Sequence, residues 1–185
     1  MYAEIARFLG DDFPGNGFRL AAGTVQIKDY TASGTYLNGL LHSFDDQPAV
    51  VNGDDRYWYQ LGKLHRDDDS PAVIKADVSR WYINGKLHRM NDQPAIIDSD
   101  GEQYWYSNNK LHRDDDSPAV INANGDRRWY QHNKRHRDGD RPAIIYASGA
   151  QAWYINDRAH RDNDLPAIVY PSGRREYWTN GVRQR

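Results

Sequence analysis

The segment Trp81–Arg89 reads WYINGKLHR, and closely similar segments follow as WYSNNKLHR (105–113), WYQHNKRHR (129–137) and WYINDRAHR (153–161). A histidine, an arginine and then aspartates could form a catalytic or metal site, or could be scaffold residues. Since the pattern recurs along the chain, the spacing of its copies is the first evidence to weigh.

The recurring histidines are spaced by 23 or 24 residues, and a proline follows each of them six places later. Tyrosine precedes each histidine by six places, tryptophan precedes the last five by seven, and aspartate stands two before each proline. Six repeats result, with bounds 35–57, 58–80, 81–104, 105–128, 129–152 and 153–176, here called repeats 1 to 6. Residues 177–185 are a truncated capping repeat, and residues 1–34 are predicted to form an N-terminal cap with a short helix over 3–9.

Each repeat has the residue pattern of β-structure. After the proline come alanine and two apolar, mostly β-branched residues, then a turn segment such as DSDG or NANG, then the aromatic pair. Asn-Gly pairs such as Asn84-Gly85 favour positive φ and reverse the chain. The sequence therefore predicts an all-β fold, an elongated single-layer array of tandem antiparallel β-hairpins.

The repeated segments WYINGKLHR and DQPAII resemble the MORN repeat, in the divergent form WYxNGxxHRxDGPA of viral and phage proteins and of MORN-like bacterial antitoxins. The resemblance covers residues 35–185. It implies an array that binds proteins or membranes, and a role as a viral, phage or immunity-type protein that neutralises or scaffolds its partner. The chain departs from the pattern where glycine before the proline is replaced, as by Gln47 and Ser70, and where Val78 stands near a turn glycine slot.

Bulk composition limits the partner class. The 24 basic and 26 acidic residues leave a net charge of −2, which argues against binding a phosphate backbone. No cysteine is present, so disulfides and thiolate zinc sites are excluded. Neither a secretory signal nor a membrane-spanning length of apolar residues is recognisable, which predicts a cytoplasmic protein, in the host cytoplasm if viral, with membrane attachment disfavoured.

Three chemical interpretations compete with a structural one. Metal binding would use histidine with the following aspartates, and acid–base catalysis would use the same pair. Sugar or lipid-headgroup binding would use the aromatic residues. An enzyme needs one active site, whereas these residues occur in six copies, so the structural interpretation is favoured. It expects aspartate to cap a turn through its carboxylate, arginine to pair with an aspartate of its own or the next repeat, and histidine to bond to backbone or aspartate of the neighbouring repeat.

Binding is then expected at positions that vary between repeats. The residue before the tryptophan slot is often tyrosine or arginine, types that are enriched in binding hot spots, and the preceding turns add two further tyrosines. The predicted binding residues are Tyr57, Arg80, Tyr104, Arg128, Tyr146 and Tyr170. The sequence thus predicts a protein-binding module without enzyme activity, cofactor or metal. The alternative is a glycan- or lipid-headgroup-binding module. Exposed edge strands would allow self-association.

Overall fold

The computed structural model describes residues 20–27 and 30–184, with side chains from residue 34 onward. The chain divides into two compact units, Met1–Lys86 and Leu87–Arg185. The expected helix over 3–9 lies outside the described residues. Within them every regular element is a strand, so no helix there is long and apolar enough to cross a membrane.

The first unit contains eleven strands, the last of which ends at the first residue of the second unit. In chain order they are β1 Leu20–Ile27, β2 Tyr30–Leu37, β3 Leu40–Leu41, β4 Val50–Asn52, β5 Asp55–Tyr57, β6 Tyr59–Gln60, β7 Lys63–Leu64, β8 Val73–Lys75, β9 Val78–Arg80, β10 Tyr82–Ile83 and β11 Lys86–Leu87. The main sheet has the order β1-β2-β4-β5-β8-β9, while β6 pairs only with β7 and β3 only with β2. The described residues of the predicted N-terminal cap, 20–27 and 30–34, thus belong to the antiparallel pair of β1 and β2.

The second unit repeats this arrangement. Its strands are β12 Ile96–Asp98, β13 Gln103–Tyr104, β14 Tyr106–Ser107, β15 Lys110–Leu111, β16 Val120–Ile121, β17 Arg127–Arg128, β18 Tyr130–Gln131, β19 Lys134–Arg135, β20 Ile144–Ile145, β21 Gln151–Ala152, β22 Tyr154–Ile155, β23 Arg158–Ala159, β24 Ile168–Val169, β25 Arg175–Glu176, β26 Trp178–Thr179 and β27 Val182–Arg183. The main sheet runs β12-β13-β16-β17-β20-β21-β24-β25, and four short hairpins of consecutive strands, beginning with β14–β15, project from it. All pairings are antiparallel, which confirms the predicted all-β class and its tandem hairpins.

Two turn types explain the change from 23 to 24 residues per repeat. In repeat 2 the strands β8 and β9 are joined by two residues, and Lys75 pairs directly with Val78. In repeats 3 to 6 the turn has one more residue and closes with a glycine at positive φ, as at Gly101, whose N–H bonds to the carbonyl of Asp98. No residue of the turn between Lys75 and Val78 has positive φ, so this turn needs no glycine, whereas the equally short turn of repeat 1 has Gly53 at a φ of 59°.

The core is built from the small and the aromatic residues of the pattern. The alanine after each proline is fully buried in repeats 2 to 6, and the tryptophans are nearly so. In repeats 2, 4, 5 and 6 the backbone N–H of the tryptophan, for example Trp105, bonds to the carbonyl of the alanine fourteen residues later, Ala119 in this case. Because these alanine side chains are fully buried, a larger side chain at the same position would have to displace its neighbours.

The short hairpins reverse through two residues of positive φ. The second of these is glycine in some repeats and asparagine or aspartate in others, namely Asn109, Asn133 and Asp157. In these three the side-chain oxygen accepts the N–H of a residue in the preceding repeat; Asn109 accepts from Leu87 at 2.7 Å. The replacement of glycine thus adds a hydrogen bond between repeats. It also strains the backbone, because a residue other than glycine then has positive φ.

Candidate functional site

The aspartate before each proline lies in a turn whose two central residues both have positive φ. In repeat 2 these are Asp68 and Asp69, at φ of 55° and 51°, and the N–H of Ser70 bonds to the carbonyl of Asp67 at 3.1 Å. Aspartate, asparagine and glycine fill the slots because they tolerate this backbone best. The predicted turn in which the carboxylate caps backbone N–H groups is wrong, since the recurring aspartates accept other donors.

Those donors are an indole and a guanidinium of the following repeat. The Trp105 indole Nε1 donates to the backbone carbonyl of Asp92 at 3.0 Å. Arg113 donates through Nε and Nη2 to the two carboxylate oxygens of Asp92, both at 2.7 Å, and its guanidinium lies 3.9 Å from the centroid of the Trp105 ring. We name this group the Arg–Asp–Trp rung. It recurs at Arg66–Asp46–Trp58, Arg137–Asp116–Trp129 and Arg161–Asp140–Trp153.

The direction of the rung differs from the prediction. Arginine was expected to pair with an aspartate of its own or the next repeat, whereas it pairs with the preceding one. The cause is the stacking on its own tryptophan, whose indole already points at the preceding turn. The arginine bond holds the pKa of each rung aspartate below its ordinary value.

The histidines make a second series of contacts. In four repeats Nε2 donates to the carboxylate two residues later, at 2.9 to 3.0 Å, as from His136 to Asp138. In His65, His136 and His160 the other nitrogen, Nδ1, accepts a backbone N–H from the short hairpin of the next repeat. The predicted bond to neighbouring backbone is confirmed for these rings, while the aspartate belongs to the same repeat. With both ring nitrogens engaged, these imidazoles hold the turn of their own repeat and the short hairpin of the next one in place.

The predicted binding residues lie on one face of each sheet, because residues directly opposite in antiparallel strands share a face. In the first unit Tyr57 and Arg80 both lie opposite Val73. In the second unit Tyr104 and Arg128 both lie opposite Val120. We call this the tyrosine face. Its Val73, Val120 and Ile144 are among the most buried sheet residues.

Most of the polar groups of the tyrosine face are tied to neighbours on the same face. The Tyr57 hydroxyl donates to Asp55, which pairs with Lys75 at 2.7 Å. The Tyr104 hydroxyl donates to Glu102 in a short hydrogen bond, and burial together with this carboxylate raises the pKa of Tyr104 to about 12.

The remaining predicted residues are likewise half-buried. Arg128 pairs with the buried Asp126, whose carboxylate also accepts the N–H of Ala147. Tyr170 donates to Glu176 and lies under the guanidinium of Arg174. Burial raises the pKa of the Tyr146 hydroxyl. The structure thus brings Tyr104, Arg128 and Tyr146 onto one face of the second unit, with most of their polar groups already bonded.

The opposite face of the second unit has a different character, which the sequence reasoning missed. Its cross-strand row alternates aliphatic and polar residues in continuous register, and we call it the arginine face. The row is Ile97, Gln103, Ile121, Arg127, Ile145, Gln151, Val169 and Arg175. Arg127 and Arg175 are exposed, the other members are half-buried, and the row contains no carboxylate. The register of strand pairing determines which residues share this face, and the sequence alone does not give that register.

Among residues 34–184, whose side chains the structure describes, no group of three or more histidine, aspartate or glutamate side chains is arranged to hold a metal ion. Comparison of the chain with protein-family models, with curated proteins and with solved structures finds no match. The resemblance to MORN repeats therefore remains a prediction from the residues.

Proposed function

We propose that the repeat array is a non-enzymatic protein-binding module that uses the arginine face to engage its partner. The observation that carries the proposal is the difference between the recurring positions of the repeats, which contact neighbouring repeats, and the variable positions, which remain accessible. Most of the recurring arginine, aspartate, tryptophan and histidine residues are engaged with neighbouring repeats, through the four rungs and the histidine bonds. Positions that vary and remain accessible are left for recognition.

The arginine face supplies the accessible positions. A row of arginine and aliphatic side chains matches the composition of protein interfaces, where arginine is enriched and lysine, aspartate and glutamate are depleted. Because the row carries Arg127 and Arg175 and no acid, charge complementarity favours a partner segment with aliphatic residues and carboxylates. The resemblance stated above supports a neutralising or scaffolding role of the viral, phage or immunity type.

The tyrosine face supplies the matched control for this proposal. Interface use of Tyr104 and Arg128 would require breaking bonds to Glu102 and Asp126 that are already satisfied. A partner gains less from groups that must first lose an internal hydrogen bond. Variants of the two faces therefore separate the two surfaces while the scaffold stays the same.

The test begins with affinity capture from the native cell and continues with the captured partner in purified form. We expect Arg127→Glu with Arg175→Glu to weaken binding at least about tenfold, since charge reversal brings like charges together. Tyr104→Phe with Arg128→Gln should leave affinity within about twofold. The reverse pattern would assign the interface to the tyrosine face. Binding of glycan arrays or liposomes by the isolated protein, insensitive to both variants, would instead support the glycan or lipid-headgroup alternative.

A further inference from the structure

Two similar clefts lie beside rungs of the array, one beside the Arg66–Asp46–Trp58 rung in the first unit and one beside the Arg137–Asp116–Trp129 rung in the second. The first has a volume of about 250 Å³ and is lined by Asp46, Trp58, Gln60, His65, Asp67 and Asp68, among others. The second has a volume of about 240 Å³ and is lined by the corresponding Asp116, Trp129, Gln131, His136 and Asp138, together with Arg141. At these five positions the two clefts carry the same residue types, whereas Arg113 of the second cleft stands in the slot of Ser43 of the first.

Arg141 distinguishes the second cleft. It stands in the slot before the proline, and its guanidinium reaches back between the two repeats. Its Nη1 donates to the Asp116 carboxylate, and its Nε donates to the backbone carbonyl of Asp138 at 3.1 Å. Asp116 at the same time accepts both bonds from Arg137, at 2.8 Å each. One rung carboxylate can therefore bind a second guanidinium without giving up the first.

The first cleft has the same acceptors and lacks the internal cation. Ser70 fills the slot of Arg141, and its hydroxyl is directed to the carbonyl of Asp68. The Asp46 side chain is 66% exposed, whereas that of Asp116 beneath Arg141 is 31% exposed. Asp68 replaces Gly139 and adds an exposed carboxylate. Three carboxylates against the single guanidinium of Arg66 leave two negative charges in this cleft.

We propose that the first cleft binds a guanidinium group, and that Arg141 fills the second cleft as an internal copy of that ligand. The chain itself shows the chemistry, since one planar group supplies a donor to a carboxylate and another to a carbonyl in a different direction. A lysine ammonium has its donors on one nitrogen and cannot span both acceptors in this way. The ligand is either an arginine side chain of a protein or a free arginine-type small molecule. The site does not depend on the arginine face.

Indole N–H resonances give each cleft its own reporter. Trp58 Nε1 donates to the carbonyl of Asp46 at 3.0 Å, and Trp129 Nε1 donates to that of Asp116 at 2.8 Å. In a titration of the full chain with L-argininamide, followed by ¹⁵N–¹H correlation spectra, the Trp58 signal should shift saturably and the Trp129 signal should not. L-citrullinamide, the neutral analogue, and L-lysinamide are the controls. An unmoved Trp58 signal, or equal shifts with either control, would overturn the proposal.

Reciprocal variants exchange the two clefts. Arg141→Ser should open the second cleft, so that the Trp129 signal begins to respond to L-argininamide. Asp68→Gly with Ser70→Arg copies the second cleft into the first and should abolish the Trp58 response. If the double variant fails to fold, Arg141→Ser decides alone, and a Trp129 signal that does not respond to L-argininamide in that folded variant contradicts the proposal.

The source of the guanidinium group is a separate question. Tighter binding of a blocked arginine peptide than of free L-arginine would indicate a protein ligand, and the reverse order would indicate a small molecule. A negative titration would leave the partner-binding test of the arginine face unaffected.

Discussion

Replacement of Arg113 by alanine tests how much one rung contributes to stability. Arg113 makes a two-pronged ion pair with Asp92, stacks on Trp105 and donates to the carbonyl of Pro118 at 3.3 Å. Its side chain is only 16% exposed, while that of Asp92 is 61% exposed. Removal of the largely buried Arg113 side chain should therefore destabilise the fold more than removal of the exposed Asp92 carboxylate.

The expected magnitude follows from this asymmetry. The ion pair with an exposed carboxylate contributes about 0.2–1 kcal/mol. Stacking on a largely buried indole contributes about 0.5–2 kcal/mol, and the hydrogen bond to the Pro118 carbonyl adds about 1 kcal/mol. Arg113→Ala should therefore lower the free energy of unfolding by about 2–3 kcal/mol. Asp92→Asn should lower it by only about 0.5–1 kcal/mol, because Arg113 keeps its stack and its carbonyl bond and asparagine tolerates positive φ.

Urea unfolding followed by tryptophan fluorescence measures both changes, with Arg127→Ala as the control. Arg127 is an exposed arginine of the sheet and should change stability by less than about 0.5 kcal/mol. If Arg113→Ala costs no more than Arg127→Ala, the rungs do not hold the repeats together. If Asp92→Asn costs as much as Arg113→Ala, the ion pair rather than the stack is the main contribution.

Three further outcomes are expected. The free energy of unfolding should decrease as pH falls below about 3.8, the ordinary pKa of aspartate, because carboxylates whose pKa is lowered by folding stabilise the fold only while they are ionised. This loss of stability should be smaller in Arg113→Ala, and urea titrations at several pH values measure it. Asn109→Gly should cost less than Asn109→Ala, since glycine loses only the bond to Leu87 whereas alanine also adds strain at positive φ; chemical denaturation of both variants gives the order. Ala119→Val should destabilise by about 1–3 kcal/mol because the site is fully buried against Trp105, and thermal unfolding reports it; an unchanged midpoint would show that this site has room to spare.

The repeat period made the architecture predictable from the sequence. Six copies of one pattern fix the hairpins, and the Asn-Gly pairs fix where the short hairpins reverse, because few residues accept positive φ. Repetition also indicated correctly that histidine bonds to the backbone of a neighbouring repeat, whereas the predicted partner repeat of the arginine was wrong. These conclusions need only local preferences and the count of copies.

Three features depended on information that spacing does not carry. The arginine pairs with the preceding repeat because its tryptophan directs it there. The half-buried state of Tyr104 and Arg128 depends on the burial of their side of the sheet, and residue type alone does not show it. The second cleft owes its internal guanidinium to Arg141, which stands in a slot whose residue varies between repeats, and its role appears only when the two clefts are compared position by position. The signal was present in the sequence as arginine in a slot that holds serine in repeats 2 and 4.

Hydrogen exchange of the indole N–H groups tests most directly the claim that the recurring residues form the contacts between repeats. In the structure five indoles donate to the backbone carbonyl of the preceding turn, namely Trp58, Trp81, Trp105, Trp129 and Trp153. Trp178 instead donates to the carboxylate of Glu176 in the terminal hairpin. The account predicts five slowly exchanging indole protons and a sixth that exchanges much faster. Rapid exchange of all six would contradict it.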